Sequence, residues 1–449
     1  MKRFGTGGLR RRSSLGIPAQ FPLNARWAVC CLLLFLALVT PEPRPDIDAA
    51  WSLGLLLAFA FVAQQVARSI SLPDVVGWMA AGMILGEGGM RAVLPAASGS
   101  VELVYTLAAL WLGCLAGLGL DLRWERRRPP LPLVIFLSTL GTAAVFGGGA
   151  ILLAGLSTES ALALGALAAL WGPIVASTLI RKNEPVLAAA LGSAFALILL
   201  SAVLLLAAQR DSFDGVPGSV LLRLWSSAAV GPLLALMLWR LRLLGTRTAS
   251  VVALGAGFLL LGILVRDTHL FALIAGLGAG VVLASLDRSG LRQMLEPGRA
   301  PAGLVFFAIA GASLDPVRLA TSPVPGLYEL LLLQLFAVVA ARLPAPLAWP
   351  PLPMAGAGFS RRHGLLLLPG GALLYEVACR PEGVAALFAH PLSELVRQFA
   401  IANLLLYAVL LSALARRFLP SREHAFSEPE HPAEPSLGKA AESTGSPAR

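Results

Sequence analysis

The chain has 449 residues, of which 57% are hydrophobic and 13% are charged, with a formal net charge of +10 at pH 7. A soluble domain carries about 25% charged residues, so this composition excludes an ordinary water-soluble protein and indicates an integral membrane protein. Apolar runs of about 18 to 25 residues recur along nearly the whole chain without period-two alternation, which favours membrane-spanning helices.

Fourteen apolar segments are predicted to cross the membrane as helices, because each can span about 30 Å of hydrocarbon. The first, WAVCCLLLFLALVT, is short and follows the basic sequence MKRFGTGGLRRRSS, a pattern that also suits a signal peptide. No clean small-x-small cleavage site follows it, so we favour a retained anchor. The segments begin near Trp27, Ala49, Pro73, Val101, Leu131, Ser160, Pro185, Val216, Thr248, His269, Pro301, Gly326, Gly364 and Glu394.

The basic residues alternate between loops in a way that predicts the topology. If the N-terminus is cytoplasmic, the inside loops hold clusters such as Arg126, Arg127 and Arg128, whereas the outside loops hold mostly single arginines such as Arg91 and Arg210. This positive-inside bias predicts a multi-pass protein of the cell (inner) membrane with both termini in the cytoplasm. Topology therefore accounts for the net charge, and no nucleic-acid partner is expected.

One folded domain is predicted, and it lies in the bilayer. Residues 1–26 are assigned to a basic cytoplasmic N-terminus, 27–48 to the extra membrane anchor and its loop, 49–420 to the transmembrane domain, and 421–449 to a disordered cytoplasmic tail. The four cysteines lack metal-ligand spacing, and no HExxH or Ser/His/Asp arrangement is present. We therefore predict no metal site, no cofactor and no enzymatic activity.

A glycine pattern lies in the third apolar segment, which begins near Pro73. The stretch LPDVVGWMAAGMILGEGG, residues 72–89, places Gly77, Gly82 and Gly86 four to five residues apart. Such spacing gives a smooth helix face that a second helix can approach closely. The stretch also resembles the opening signature of the cation:proton antiporter superfamily, which includes sodium/hydrogen exchangers, in the branch that contains Kef-type potassium efflux systems.

Later segments keep this resemblance in the same order. They are LAALWLGCLAGLGLDLRWERRR (107–128), HLFALIAGLGAGVVLAS (269–285) and APAGLVFFAIAGASLDP (300–316). The resemblance implies an all-α polytopic fold of about 13–14 transmembrane helices, counting the extra anchor, with antiporter-type inverted repeats and two broken, crossing helices. It also implies a homodimer and the transport of a monovalent cation and a proton.

Two segments contain helix-breaking motifs. One holds Gly172 and Pro173 after a tryptophan, and the other holds Pro369, Gly370 and Gly371. Proline removes a backbone donor and glycine is conformationally permissive, so both motifs are predicted to interrupt their helices. Interrupted helices in corresponding positions of two halves indicate a transport site near the membrane midplane. A simple proline kink in each helix is the alternative.

The chain departs from the family pattern in this same region. The family has a Thr-Ser-Pro or Thr-Asp-Pro motif where this chain has WGP, and an Arg-Gly-Glu-like run where it has GGA. It has one or two aspartates where this chain has Gly192 and Ser193. An ionisable group inside the membrane is the usual means of holding a cation and a proton in competition. We therefore predict little or no electrogenic sodium/proton exchange, and any residual cation exchange would have to use Glu376 or backbone carbonyls.

Two charged residues remain as candidates for the transport site. Arg342 lies about where the resemblance places a basic residue facing the ion, although its side chain can equally extend to the inner interface. Glu376 lies near the outer end of its segment, and we expect an interfacial position for it. It is nevertheless the only carboxylate that we consider able to reach the midplane.

Three functional hypotheses follow. The first is a transporter that resembles monovalent cation:proton antiporters and works by alternating access at a midplane site. The second is a degenerate relative that keeps the fold for a structural or regulatory role and does not transport. The third is an altered, anionic substrate, held by Arg342 and the N-termini of the half-helices. A carboxylate that reaches the midplane distinguishes the first hypothesis from the others.

Overall fold

The structure is a computed structural model of the chain. The described residues are 48–70, 72–86, 88–91, 99–118, 130–170, 183–209, 217–243, 247–286, 294–315, 321, 326–342, 371–379, 383–388 and 392–418. The predicted N-terminal region, extra anchor and C-terminal tail therefore lie outside the described residues, apart from their edges. The segment predicted from Gly364 is described from Gly371 onward.

Thirteen α-helices and two short 3-10 turns make up the secondary structure of the described residues, which contain no strand. This confirms the predicted all-α fold. The α-helices are α1 Asp48–Ser69, α2 Asp74–Leu85, α3 Gly99–Leu118, α4 Pro130–Ala154, α5 Thr158–Ala168, α6 Asn183–Ala208, α7 Pro217–Leu243, α8 Arg247–Asp267, α9 Ala272–Leu286, α10 Arg299–Ala312, α11 Leu327–Arg342, α12 Gly371–Cys379 and α13 Leu392–Phe418.

Within the described residues, five helices are long and apolar enough by length and composition to cross a membrane. Other apolar helices are shorter, among them α2, α5, α9 and α11. The five candidate spans are Trp51–Ser69, Val101–Leu118, Ile135–Ala154, Ala190–Ala208 and Pro217–Met237. Large apolar side chains such as Leu152, Leu222 and Leu233 are well exposed on these helices, as expected for surfaces that face lipid.

The helices form two bundles that contact each other. The first, which we call the panel, contains α1, α2, α3, α7, α8, α9 and α10, and its most extensive contacts join α3 to α9, α7 to α9 and α2 to α10. The second, which we call the core, contains α4, α5, α6, α11, α12 and α13. Contacts between α6 and α7, α2 and α13, and α9 and α12 connect the two bundles.

The contacts of the first six helices recur among the last six. The pair α1–α2 corresponds to α8–α9, α4–α6 corresponds to α11–α13, α5–α6 corresponds to α12–α13, and α2–α10 corresponds to α3–α9. These pairs relate helices seven positions apart, whereas the extensive contact between α4 and α5 has no comparable counterpart between α11 and α12. If each helix crosses the bilayer once, two helices that are seven positions apart in chain order run in opposite directions. Such a pairing is the arrangement of an inverted repeat.

Glycines allow the closest helix approaches in the panel. A Cβ atom added at Gly82 would overlap the α10 backbone at Ala308, and one added at Gly77 would come within 2.6 Å of the Ala63 carbonyl oxygen of α1. The glycine-lined face predicted from the sequence is thus confirmed, and it contacts two helices. The same arrangement recurs between α3 and α9, where Gly280 faces Gly117.

We predict that Gly280→Ala destabilises the protein, because the new Cβ would lie 2.8 Å from the Gly117 Cα atom and the Leu118 nitrogen. Separating two tightly packed helices costs about 1–3 kcal/mol. The measurement is the thermal unfolding midpoint of the purified protein in detergent. Gly148→Ala is the matched control, since nothing lies within 4 Å of the added Cβ there. Equal midpoints for the two variants would contradict the role of this contact.

Candidate functional site

The first broken segment contains a half-length helix, α5. Its N-cap is Ser157, whose hydroxyl oxygen accepts a hydrogen bond from the Ser160 nitrogen at 3.3 Å. The helix has eleven residues and ends at Ala168, just before the breaker motif. Gly172 and Pro173 lie outside the described residues. The structure thus shows a helix that stops where the motif predicts a stop, and the crossing of the two segments stays a prediction.

Gln334 of α11 binds the C-terminal end of α5. Its side-chain nitrogen donates to the carbonyl oxygen of Ala168 at 3.2 Å, although the two residues are 166 positions apart. The Gln334 side chain is 0% exposed. Its other polar atom, Oε1, is buried and has no hydrogen-bond partner among the described residues. The Gln334 carboxamide therefore contacts the end of α5 through its nitrogen, while its oxygen Oε1 accepts no hydrogen bond from the described residues.

The second broken segment is described from Gly371, the first residue of α12. Pro369 and Gly370 lie outside the described residues. Gly371 is buried against α13, where an added Cβ would come within 2.7 Å of the Leu404 nitrogen and 3.0 Å of the Asn403 carbonyl carbon. A side chain has no room there, which explains why a glycine begins this half-helix. Within the described residues, α12 has only nine residues and ends at Cys379.

Glu376 of α12 is buried and binds the N-terminus of a panel helix. Its side chain is 1% exposed, and its two carboxylate oxygens lie 2.9 and 3.1 Å from the Leu273 nitrogen in the first turn of α9. The partial positive charge of a helix N-terminus favours a carboxylate at this position. Glu376 is also the only acidic or basic side chain that is buried within the described part of the chain.

This burial shows that Glu376 packs inside the protein, and the interfacial depth predicted from the sequence stays a prediction. Glu376 follows Gly371 by five residues, which is about 7.5 Å along the helix axis. The carboxylate therefore lies on the described part of α12, three residues before Cys379. Placing a charge in a membrane helix costs roughly 2.5–3.5 kcal/mol on insertion scales, and the amide donor of Leu273 offsets part of that cost.

One other contact holds α12 and the panel together, and a second fixes the beginning of α9 within the panel. The hydroxyl groups of Tyr375 in α12 and Ser313, just after α10, form a hydrogen bond. The Ser227 hydroxyl of α7 accepts from the Phe271 nitrogen at 2.8 Å and donates to the Arg223 carbonyl at 2.6 Å. The beginning of α9 is therefore bound by side chains from α7 and α12, so the core and the panel meet through polar contacts at this end.

The remaining sequence candidates lie on the core helices. Gly192 and Ser193 are buried within α6, and Ser193 is 0% exposed. Arg342 is the last described residue of α11, and the residues that follow it lie outside the described part of the chain. Among the described residues, no group of three or more His, Cys, Asp or Glu side chains could hold a metal ion.

Two buried carboxamides, Gln334 and Asn403, were missed in the sequence analysis. Asn403 of α13 is 0% exposed and donates to the Phe399 carbonyl at 2.7 Å, while its oxygen Oδ1 has no partner among the described residues. Each residue is a lone polar side chain in an apolar run, such as LYELLLLQLFAVVAAR. A polar residue within a membrane segment is itself a signal of function or specific pairing, and it would have identified both positions.

Comparisons with known proteins agree on the fold. No protein-family model and no curated protein matches the chain. The structure of the sodium proton antiporter MjNhaP1 from Methanocaldococcus jannaschii at pH 8 aligns with a TM-score of 0.53 and 17% identity, covering 84% of this chain and 100% of that one. An electron-microscopy map of MjNhaP1 gives the same TM-score and identity, with coverage of 84% and 99%. The chain therefore has an antiporter fold.

Proposed function

We propose that the chain is an integral membrane transporter that exchanges a monovalent cation for a proton by alternating access, with Glu376 as the proton-binding group. The observation that carries this proposal is the buried Glu376 carboxylate on half-helix α12, bound to the first turn of α9. MjNhaP1, which has a similar fold, is a sodium proton antiporter. The proton site would have moved from the α6 position, occupied here by Gly192 and Ser193, to α12.

Glu376 suits this role because its contact joins the two bundles that must move against each other. With the carboxylate ionised, the Leu273 amide and the N-terminus of α9 hold α12 against the panel. Protonation removes the negative charge and weakens the attraction. Proton binding would thereby weaken the contact that holds the core to the panel. One titratable group then links proton occupancy to the position of the core.

Other charged groups lie near the contact between Glu376 and Leu273, and their charges would affect the electrostatic potential at the Glu376 carboxylate. Arg397 of α13 lies beside the end of α12, where its carbonyl oxygen accepts from the Cys379 sulfur at 3.7 Å. Glu394 belongs to the same turn of α13 and accepts from Gln398 at 3.3 Å. Before α9, Arg266 and Asp267 form an ion pair, and the exposed His269 follows them. These charges therefore contribute to the electrostatic field around Glu376.

A second candidate function is a non-transporting role in assembly or regulation. Ser193 favours it, since a fully buried hydroxyl stands where the resemblance places an aspartate. A hydroxyl ligates a cation weakly and does not exchange it for a proton near neutral pH. An anionic substrate is less favoured, because within the described residues Glu376 is the buried charge. The proposed setting is the cell (inner) membrane, as a homodimer with both termini cytoplasmic.

The proposed function predicts pH-dependent exchange of at least one monovalent cation. The measurement uses everted vesicles that contain the full chain, a pH-sensing dye and additions of lithium, sodium, potassium or choline chloride. We expect one or more alkali cations, but not choline, to dissipate an imposed proton gradient faster than in vesicles without the protein. Identical traces with and without the protein for every cation would refute transport and favour the non-transporting role.

A further inference from the structure

The side-chain oxygen Oε1 of Gln334 is buried in an apolar region and has no hydrogen-bond partner among the described residues. Gln334 lies on the buried face of α11 together with Leu330, Ala337 and Val338, while Leu332 and Phe336 are exposed on the other side. A buried acceptor without a hydrogen bond costs about 1–3 kcal/mol. A leucine would fill the same apolar position without that cost. A specific unsatisfied group of this kind is explained by a water, an ion or a ligand that it binds.

The end of α5 supplies the electrostatic setting for that ligand. The last carbonyl groups of a helix carry a partial negative charge and favour a cation. The side-chain nitrogen of Gln334 donates a hydrogen bond to one of these carbonyl groups, that of Ala168. This contact holds the carboxamide so that Oε1 lies next to the helix end. The unsatisfied Oε1 and the helix C-terminus are independent features, and both favour positive charge.

We infer that Gln334 Oε1 is a ligand of the transported cation at the C-terminal end of half-helix α5. This inference rests on the proposed function, and it assigns the cation and the proton to different half-helices. Gln334 binds the cation beside α5, and Glu376 binds the proton on α12. The separation explains how exchange proceeds without an aspartate at Gly192 and Ser193.

The chemistry of the ligands indicates a monovalent cation. Neutral carbonyl oxygens replace the hydration shell of alkali cations in membrane proteins. Calcium and magnesium are usually bound with the help of one or more carboxylates, whereas Gln334 supplies a neutral carboxamide oxygen. Lithium, sodium and potassium are therefore the probes, and calcium and magnesium are expected not to bind.

The first test measures cation binding directly on the purified full chain. Its thermal unfolding midpoint is recorded against lithium, sodium or potassium chloride at pH 8, with choline chloride holding the ionic strength constant. We expect saturable stabilisation by an alkali cation. The half-saturating concentration should rise roughly tenfold or more in Gln334→Leu, the equivalent of losing one hydrogen-bond-sized contact. It should fall in Gln334→Glu, which adds negative charge at the same atom position.

A matched control separates binding from packing. Gln398 of α13 is also a buried glutamine, but its side-chain nitrogen donates to Glu394 and its atoms are not left without partners. Gln398→Leu should therefore keep the half-saturating concentration of the parent. If Gln334 serves only to cap α5, both Gln334 variants will unfold at lower temperature with unchanged cation dependence, and that result overturns the inference.

The vesicle assay distinguishes failure of this inference from failure of the proposed function. Exchange by the parent with the same KM for the cation in Gln334→Leu would overturn the role of Gln334 and leave the transporter proposal intact. Cation stabilisation that depends on Gln334, without exchange in vesicles, would refute transport and retain the binding site. Absence of both stabilisation and a Gln334-dependent KM means that Oε1 binds only water, which refutes the inference.

Discussion

Glu376→Gln is expected to reduce proton-coupled exchange to the level of vesicles that lack the protein. Glutamine keeps an oxygen that can accept from the Leu273 nitrogen, so the link between α12 and α9 survives. What it loses is the ability to bind and release a proton. The change in stability should therefore be small, about 1 kcal/mol or less, while proton coupling disappears. The measurements are exchange in everted vesicles and the thermal unfolding midpoint of the purified protein.

Glu394→Gln is the control for this prediction. Glu394 is an acidic residue at the same end of the core, but it lies in the first turn of α13 and is only half-buried. We expect the control to retain exchange with a modestly shifted pH profile. Parent-like exchange in Glu376→Gln would remove Glu376 from the mechanism and require a proton carrier in another part of the chain.

The sequence predicts much of the fold because bilayer constraints act locally. Apolar length identifies helices, and the first breaker motif predicts where α5 ends, without any knowledge of neighbours. The glycine spacing in α2 likewise predicts a close approach, since a surface without side chains is a property of one helix. It does not identify the partners, which are α1 at Gly77 and α10 at Gly82.

The candidate site was less predictable because its contacts join distant parts of the chain. Glu376 reads as interfacial from its place near the end of an apolar run, and its burial depends on an amide donor 103 residues away. Gln334 reads as one polar residue in a leucine-rich helix, and its partner is 166 residues away. Neither pairing leaves a local pattern, so one sequence without relatives to compare does not reveal it.

The helix ends near Gln334 and Glu376 carry opposite partial charges. A helix C-terminus favours a cation and a helix N-terminus favours a carboxylate. In this protein Gln334 lies at the end of α5, and the Glu376 carboxylate of α12 lies against the beginning of α9. Gly192 and Ser193 on α6 supply no carboxylate, whereas these two helix ends offer opposite partial charges.

Ser193→Asp is expected to create a second proton-coupled site and to increase exchange at alkaline pH. Ser193 is fully buried in α6, a helix that contacts α5, so the new carboxylate would lie within the core. Burying it in the membrane costs roughly 2.5–3.5 kcal/mol when ionised, so we also expect a lower unfolding midpoint. Ser193→Asn, which is similar in size but does not titrate, should show no increase in exchange.

The double variant Ser193→Asp with Glu376→Gln decides whether the two positions are alternatives. If the chain moved its proton site from α6 to α12, an aspartate at 193 should restore exchange that Glu376→Gln removes, because either carboxylate can carry the proton. Ser201→Asp with Glu376→Gln is the control, since Ser201 is also buried on α6 but lies two turns further along. Restoration by both aspartates, or by neither, would show that position 193 has no special relation to the transport site.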